Sequence, residues 1–165
     1  MRNLLRATIL AAAVIAPASA KTVSLPDGKP AMSAVLPDSW KPAETERGME
    51  ATSPNGDVYA SVEYAKDYKA DLQALMEANG KWMAENKIVP NSATTQDRDF
   101  DLNGLPAHEI AYVAHDKDGP TKVTFTLIEL PRDAIGVVTI WASDKERASQ
   151  TKTVNAILNS VKAIK

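Results

Sequence analysis

The stretch from Thr121 to Ser143 constrains this chain more than any other. Lys122, Thr124 and Thr126 alternate with Val123, Phe125 and Leu127, the period-two signature of a strand with one dry face and one wet face. Pro131-Arg132-Asp133 turns the chain, and Ile135 to Ala142 (IGVVTIWA) is apolar on both faces apart from Thr139. Such a run predicts a strand in mid-sheet, covered on two sides. The rest of the chain then reads as neighbours, lids and connections for this pair.

Taken in order, Val23-Ser24-Leu25 and Met32 to Leu36 are short strands separated by the turn Pro26-Asp27-Gly28. Pro37-Asp38-Ser39-Trp40 closes the second, with the tryptophan folding back over the sheet edge. Met49 to Ser53 and Asp57 to Tyr64 flank Pro54-Asn55-Gly56, and Asn-Gly is the strongest short hairpin signal. Val58, Ala60, Val62 and Tyr64 form a core face, and Tyr59, Ser61 and Glu63 point the other way. After Asp67 the period changes. Leu72, Leu75, Met76, Asn79, Trp82 and Met83 recur at three and four residues, predicting a helix from about Lys69 to Asn86 with a weak point at Asn79-Gly80.

Ile88 to Thr95 reads as a polar connection, and Arg98 to Leu102 and Pro106 to Ala114 as a hairpin around Asn103-Gly104. Asp116-Lys117-Asp118-Gly119 makes the next turn. Ser143-Asp144-Lys145-Glu146 is a capping box opening the last helix. Its stripe is Ala148, Thr151, Val154, Ile157, Leu158 and Val161, and Lys162 and Lys165 fall in the last turn, where the helix dipole favours cations. The order is four strands, a helix, four strands, a helix, and successive hairpins make the sheet mainly antiparallel.

Residues 1–20 carry the marks of a cleavable signal peptide. Arg2 and Arg6 give a positive start, Leu4 to Ala16 is a mostly apolar run ended by Pro17, and Ala18-Ser19-Ala20 is an A-x-A cleavage signal before Lys21. The run is too short to span a membrane. Residues 21–165 then form a single α+β domain in the periplasm or outside the cell, and its 145 residues suffice for one core. Cysteine is absent, so packing alone must hold an exported domain together. The exported part has 17 Lys+Arg against 21 Asp+Glu, and this balance gives no electrostatic footprint for nucleic acid or anionic lipid.

No constellation for catalysis stands out. His108 and His115 are the two imidazoles, seven residues apart and on opposite faces of a regular strand, which does not suit a zinc site. His115-Asp116-Lys117-Asp118 lacks the oxygen-rich pattern of a calcium loop and reads as a solvated hairpin tip. There is no G-x-S-x-G elbow and no phosphate-cradling glycine loop. Asp97, Asp99 and Asp101, interrupted by Arg98, read as the charged face of an edge strand. The expectation is a protein that is not an enzyme, with no cofactor and no catalytic or metal-binding residue.

Three segments together resemble the Mog1/PsbP fold family, including its small exported bacterial members. They are Pro37-x-x-Trp40, the hairpin Asn103-Gly104-Leu105-Pro106-Ala107 between a charged and an apolar strand, and Ile157-Leu158-Asn159-Ser160-Val161. The resemblance implies a mainly antiparallel sheet sandwiched between helices, an αβα sandwich, in agreement with the element order. It also implies a binding accessory, since known members attach to a photosynthetic complex or a small GTPase; export excludes a cytosolic GTPase here. The expected activity is therefore the binding of another periplasmic protein, with exposed Trp40, Tyr59 or Tyr112 as anchors. The alternative is a small apolar ligand or lipid between helix and sheet, lined by Met76, Trp82, Met83 and Trp141.

Overall fold

Ala134–Ala142 runs through the middle of an eight-stranded sheet in a computed structural model that describes residues 19–67 and 70–164. In chain order the strands are β1 (Ala20–Leu25), β2 (Met32–Pro37), β3 (Ala43–Glu44), β4 (Gly48–Thr52), β5 (Val58–Ala65), β6 (Val89–Pro90), β7 (Gln96–Leu102), β8 (Leu105–Asp116), β9 (Gly119–Leu130), β10 (Ala134–Ala142) and β11 (Lys162–Ala163). The helices are α1 (Ala70–Glu85), α2 (Asp144–Ser149) and α3 (Thr151–Ser160). The large sheet runs β3-β4-β5-β10-β9-β8-β6, with β7 also paired to β8, and all these pairings are antiparallel. A smaller sheet has the order β1-β2-β11. The expected signal peptide lies outside the described residues up to position 18, and so does the expected helix start at Lys69.

Both faces of the large sheet are covered around β10, as its apolar run requires. Helix α1 lies on one face, where Leu75 is fully buried with Phe125, Ile135 and Val137. Helix α3 and the small sheet lie on the other, where Ile157, Val161, Met32 and Leu36 pack with Val62, Val138 and Ile140. Each such aliphatic burial stabilises the fold by about 1.5–3 kcal/mol. The two helices on opposite faces make an α+β sandwich with a mainly antiparallel sheet between them.

The hairpin signals translate directly into backbone. Asn103 (φ 59°) and Gly104 (φ 82°) both take the left-handed conformation that a two-residue hairpin turn demands. Gly80 leaves α1 unbroken. The Ser143 capping box forms in full, with the Ser143 hydroxyl accepting from Glu146 N and the Glu146 carboxylate accepting from Ser143 N.

Several expectations are corrected. The last helix is not continuous to the C-terminus but breaks at Gln150 between α2 and α3. There the Thr151 hydroxyl donates to the carbonyls of Arg147 and Ala148, a side-chain bond that competes with regular helix. Ala148 and Thr151 are consequently exposed, and Val161, though fully buried, is extended. Lys162 is in strand β11 and not in a helical turn, and Lys165 lies outside the described residues. The "polar connection" contains the buried Ile88 and the short strand β6. Finally, the supposedly wet positions Thr124, Thr126 and Ser61 are buried, because both faces of β9 and β5 carry lids.

Candidate functional site

The register of β10 with its neighbours decides what lies beneath α1. Trp141 stands opposite Tyr59 and Val123, Thr139 opposite Ser61 and Phe125, and Val137 opposite Glu63 and Leu127. The β9 side of this face is therefore apolar. The β5 side is polar, and Glu50 of β4 extends it opposite Ser61.

Helix α1 brings Trp82 onto this boundary. Its ring stacks on Tyr59 with centroids 4.8 Å apart and planes at 27°, and meets Trp141 edge-on at 5.5 Å. Tyr59 and Trp141 lie 6.5 Å apart. The Tyr59 hydroxyl donates to Glu50 Oε2 at 3.0 Å. Burial, joined by the nearby Glu50 charge, holds the Tyr59 phenol well above its ordinary range. Burial likewise raises the Glu63 carboxyl, offset in part by Asn79, Ser61 and Arg47. Tyr112 packs on Phe125, points its hydroxyl at Met83 Sδ (3.0 Å), and is pushed up to about 12 by burial. The Trp141 indole N–H is buried without a hydrogen-bond partner among the described residues.

Of the six aromatic and methionine positions singled out by sequence, the structure brings together Tyr59, Trp82 and Trp141. Tyr112 sits further along the same face, with Met76 part-buried in the same core. Trp40 goes elsewhere. It is 3% exposed in the core beneath α3, so its ring is unavailable as an exposed anchor, and the other five are half-buried.

On the opposite face, the β6-β7-β8 end is open. Val89 (66% exposed) and Val113 (37%) are the exposed large hydrophobics among the described residues. Val89 pairs with His115, and Val113 with Lys122, which places all four on one face. Arg98 joins them two rows away, held by Glu109 at 3.0 Å, and Arg147 of α2 reaches over to donate to Thr124 Oγ1 at 2.6 Å. Sequence reasoning passed over Val89 because a valine before a proline in a polar stretch carries no periodic signal.

Reactive chemistry is poorly supplied. His108 Nδ1 contacts Asp99 Oδ1 at 2.7 Å and Nε2 lies 4.0 Å from Asp97, both on edge strand β7; no serine hydrogen-bonds to it among the described residues. No group of three or more His, Asp or Glu residues is placed to hold a metal ion among the described residues. No helix among them is long and apolar enough to cross a membrane.

The layers and their order define an antiparallel αβα sandwich with packed aromatic interiors. Neither a protein-family model nor a curated protein matches the sequence. Solved structures do match. The solution structure of cyanobacterial PsbP (CyanoP) from Synechocystis superposes with a TM-score of 0.61 at 11% identity, covering 94% of this chain and 99% of that one. A crystal structure from Bacteroides thetaiotaomicron gives 0.53 at 10% identity, covering 81% of this chain and 45% of that one. LpqN of Mycobacterium tuberculosis gives 0.48 at 16% identity, over 88% and 92% of the two chains. The fold is Mog1/PsbP-like.

Proposed function

We propose that this protein is a non-enzymatic accessory of the bacterial envelope that works by binding another protein on the open end of its sheet. The observation that carries the reading is the adjacency of Val89 and Val113 on an uncovered sheet face. Lys122 and Arg147 lie on the same side, and Arg98 is paired with Glu109, so the rim is charged and of mixed sign. An apolar centre with a charged rim is the anatomy of a protein interface. The matching partner presents an apolar side chain among polar groups of complementary charge. The PsbP-like fold is in keeping with an accessory role, as an analogy of architecture.

A periplasmic location rests on the Ala18-Ser19-Ala20 signal. Amino-terminal sequencing of the protein from a periplasmic fraction is expected to begin at Lys21. The alternative of a small apolar ligand under α1 is less favoured. Trp82 and Trp141 turn their rings on each other and on Tyr59, and Met83 receives the Tyr112 hydroxyl.

Site-specific photo-crosslinking in living cells tests the docking face. A crosslinker at Val113 is expected to capture one partner reproducibly, whereas one at Gln73, exposed on α1, captures none. Equal capture at both positions, or none at Val113, removes the proposal.

A further inference from the structure

We infer that the free edge of β1 is a second docking site, one that takes an extended, basic segment of a partner protein as an added strand. It lies by the β3-β4 end of the large sheet, opposite the end that carries Val89 and Val113, and stands independently of them.

Strand β1 is the outer strand of the small sheet and pairs with β2 alone. Asp38 N donates to Ser19 O at 3.0 Å, and Pro37, opposite Ala20, has no N–H to give. Bonded pairs alternate along an antiparallel ladder, so Lys21, Val23 and Leu25 turn their backbone N–H and C=O groups towards β2. The far side of β2 keeps the same alternation, with Val35 N donating to Ser160 Oγ and Ile164 N to Ala31 O. Thr22 and Ser24 therefore point their backbone groups away from β2, where no partner within the protein meets them among the described residues. An edge of this kind invites strand addition unless it is guarded. Strand β7, beside β8, is guarded by Asp97, Arg98, Asp99 and Asp101, whereas the middle of β1 is the uncharged Thr22-Val23-Ser24.

A groove of about 520 Å³ follows β1 from Lys21 to Asp27. Its other wall is the 44–49 segment joining β3 to β4, and Tyr64 also lines it. The volume falls within the roughly 300–1,000 Å³ of ligand pockets. At about 3.3 Å per residue, the edge up to Leu25 lies alongside about five extended residues. The second wall favours a lone segment, because the β1 edge of another copy brings β2 and its own 44–49 wall with it.

Charge sets the kind of segment. Asp27, Glu44 and Glu46 are exposed along the groove, and none is in an ion pair among the described residues. Of the two cations that line it, Arg47 is half-buried beside the Glu63 carboxyl, which leaves Lys21 against three carboxylates. The excess favours lysine or arginine in the partner. Main-chain pairing favours β-branched residues without proline.

The full chain is titrated into the fluorescein-labelled hexapeptide Lys-Val-Thr-Val-Thr-Lys and followed by fluorescence anisotropy. Saturable binding with a Kd below about 1 mM is expected. Replacing both lysines of the peptide with glutamate should weaken it by about tenfold, and so should N-methylating alternate peptide amides, in whichever of the two phases faces β1. Thr22→Pro removes a donor that faces the groove and no bond to β2, so it should weaken binding by about tenfold at an unchanged urea midpoint. Should this variant fail to fold, the methylated peptides decide alone. No saturable binding, equal binding by the glutamate peptide or by both methylated peptides, or undiminished binding by folded Thr22→Pro would overturn the inference. A dimer in solution that Thr22→Pro splits would also overturn it, by assigning the edge to a second copy.

Discussion

The side-chain amide of Asn103 donates to the backbone carbonyl of Val161 at 2.9 Å, and to that of Asn159 at 3.0 Å. The tip of the β7-β8 hairpin thus caps the C-terminal end of α3, whose last carbonyls lack partners within the helix. Ser160 finishes the same junction by accepting from Val35 N at 2.8 Å and donating to Ile157 O. Asn103→Gly keeps the left-handed backbone but removes the amide, so it should cost about 1–2 kcal/mol of stability. Asn103→Asp should cost more, since a carboxylate then faces two carbonyl oxygens. Urea midpoints measure both, and an unchanged midpoint for Asn103→Gly would show the cap to be idle.

The Tyr59-Trp82 stack ties α1 to β5. A double-mutant cycle with Tyr59→Leu and Trp82→Leu should show a coupling of about 0.5–1.5 kcal/mol, as for other aromatic pairs. Strict additivity of the two substitutions would mean that the rings merely share a neighbourhood.

Glu63 sets a pH dependence of definite sign. Burial raises its carboxyl above the ordinary value of 4.5, so the folded protein holds that proton more tightly than the unfolded chain. Its contribution is fully present below the unfolded value and is lost as pH rises through the raised one. Glu63→Gln should therefore have a higher Tm than the parent at pH 7, with the gap closing towards pH 4. Thermal scans at several pH values decide this; a gap that widens on acidification contradicts it.

Two glycines sit in close approaches of different hardness. A Cβ on Gly48 would lie 2.0 Å from the Val62 carbonyl oxygen, which is backbone. One on Gly136 would meet the Met32 side-chain end at 2.9 Å, where the small sheet rests on β10. Overpacking typically costs about 1–3 kcal/mol, so Gly48→Ala should fall at or beyond the upper end and Gly136→Ala near the lower. Chemical denaturation of the pair provides the ranking, and the reverse order would mean that Met32 is the more rigid neighbour.

The candidate surfaces were only half legible. The sequence groups Trp82 with Trp141 between helix and sheet but sets Tyr59 apart as an exposed anchor, since nothing local reveals that Tyr59 shares their cluster. Asp116-Lys117-Asp118, which the sequence makes a solvated hairpin tip, forms a turn in which Lys117 and Asp118 are exposed.

By itself, the sequence determined the long strands, the tight turns and the capped start of α2. These depend on neighbours a few residues away: the left-handed backbone at Asn103-Gly104, the unbroken apolar run of β10, and the Ser143-Glu146 exchange. Tertiary structure alone decided which alternating positions are wet. Thr124 and Thr126 have the polarity of an outer face, yet they are buried, with Arg147 reaching across to Thr124. It also decided where the last helix stops, for Val161 is extended with its carbonyl on Asn103. Burial and long-range hydrogen bonds belong to pairs of surfaces brought together by the whole chain, and no window of residues contains both members of such a pair.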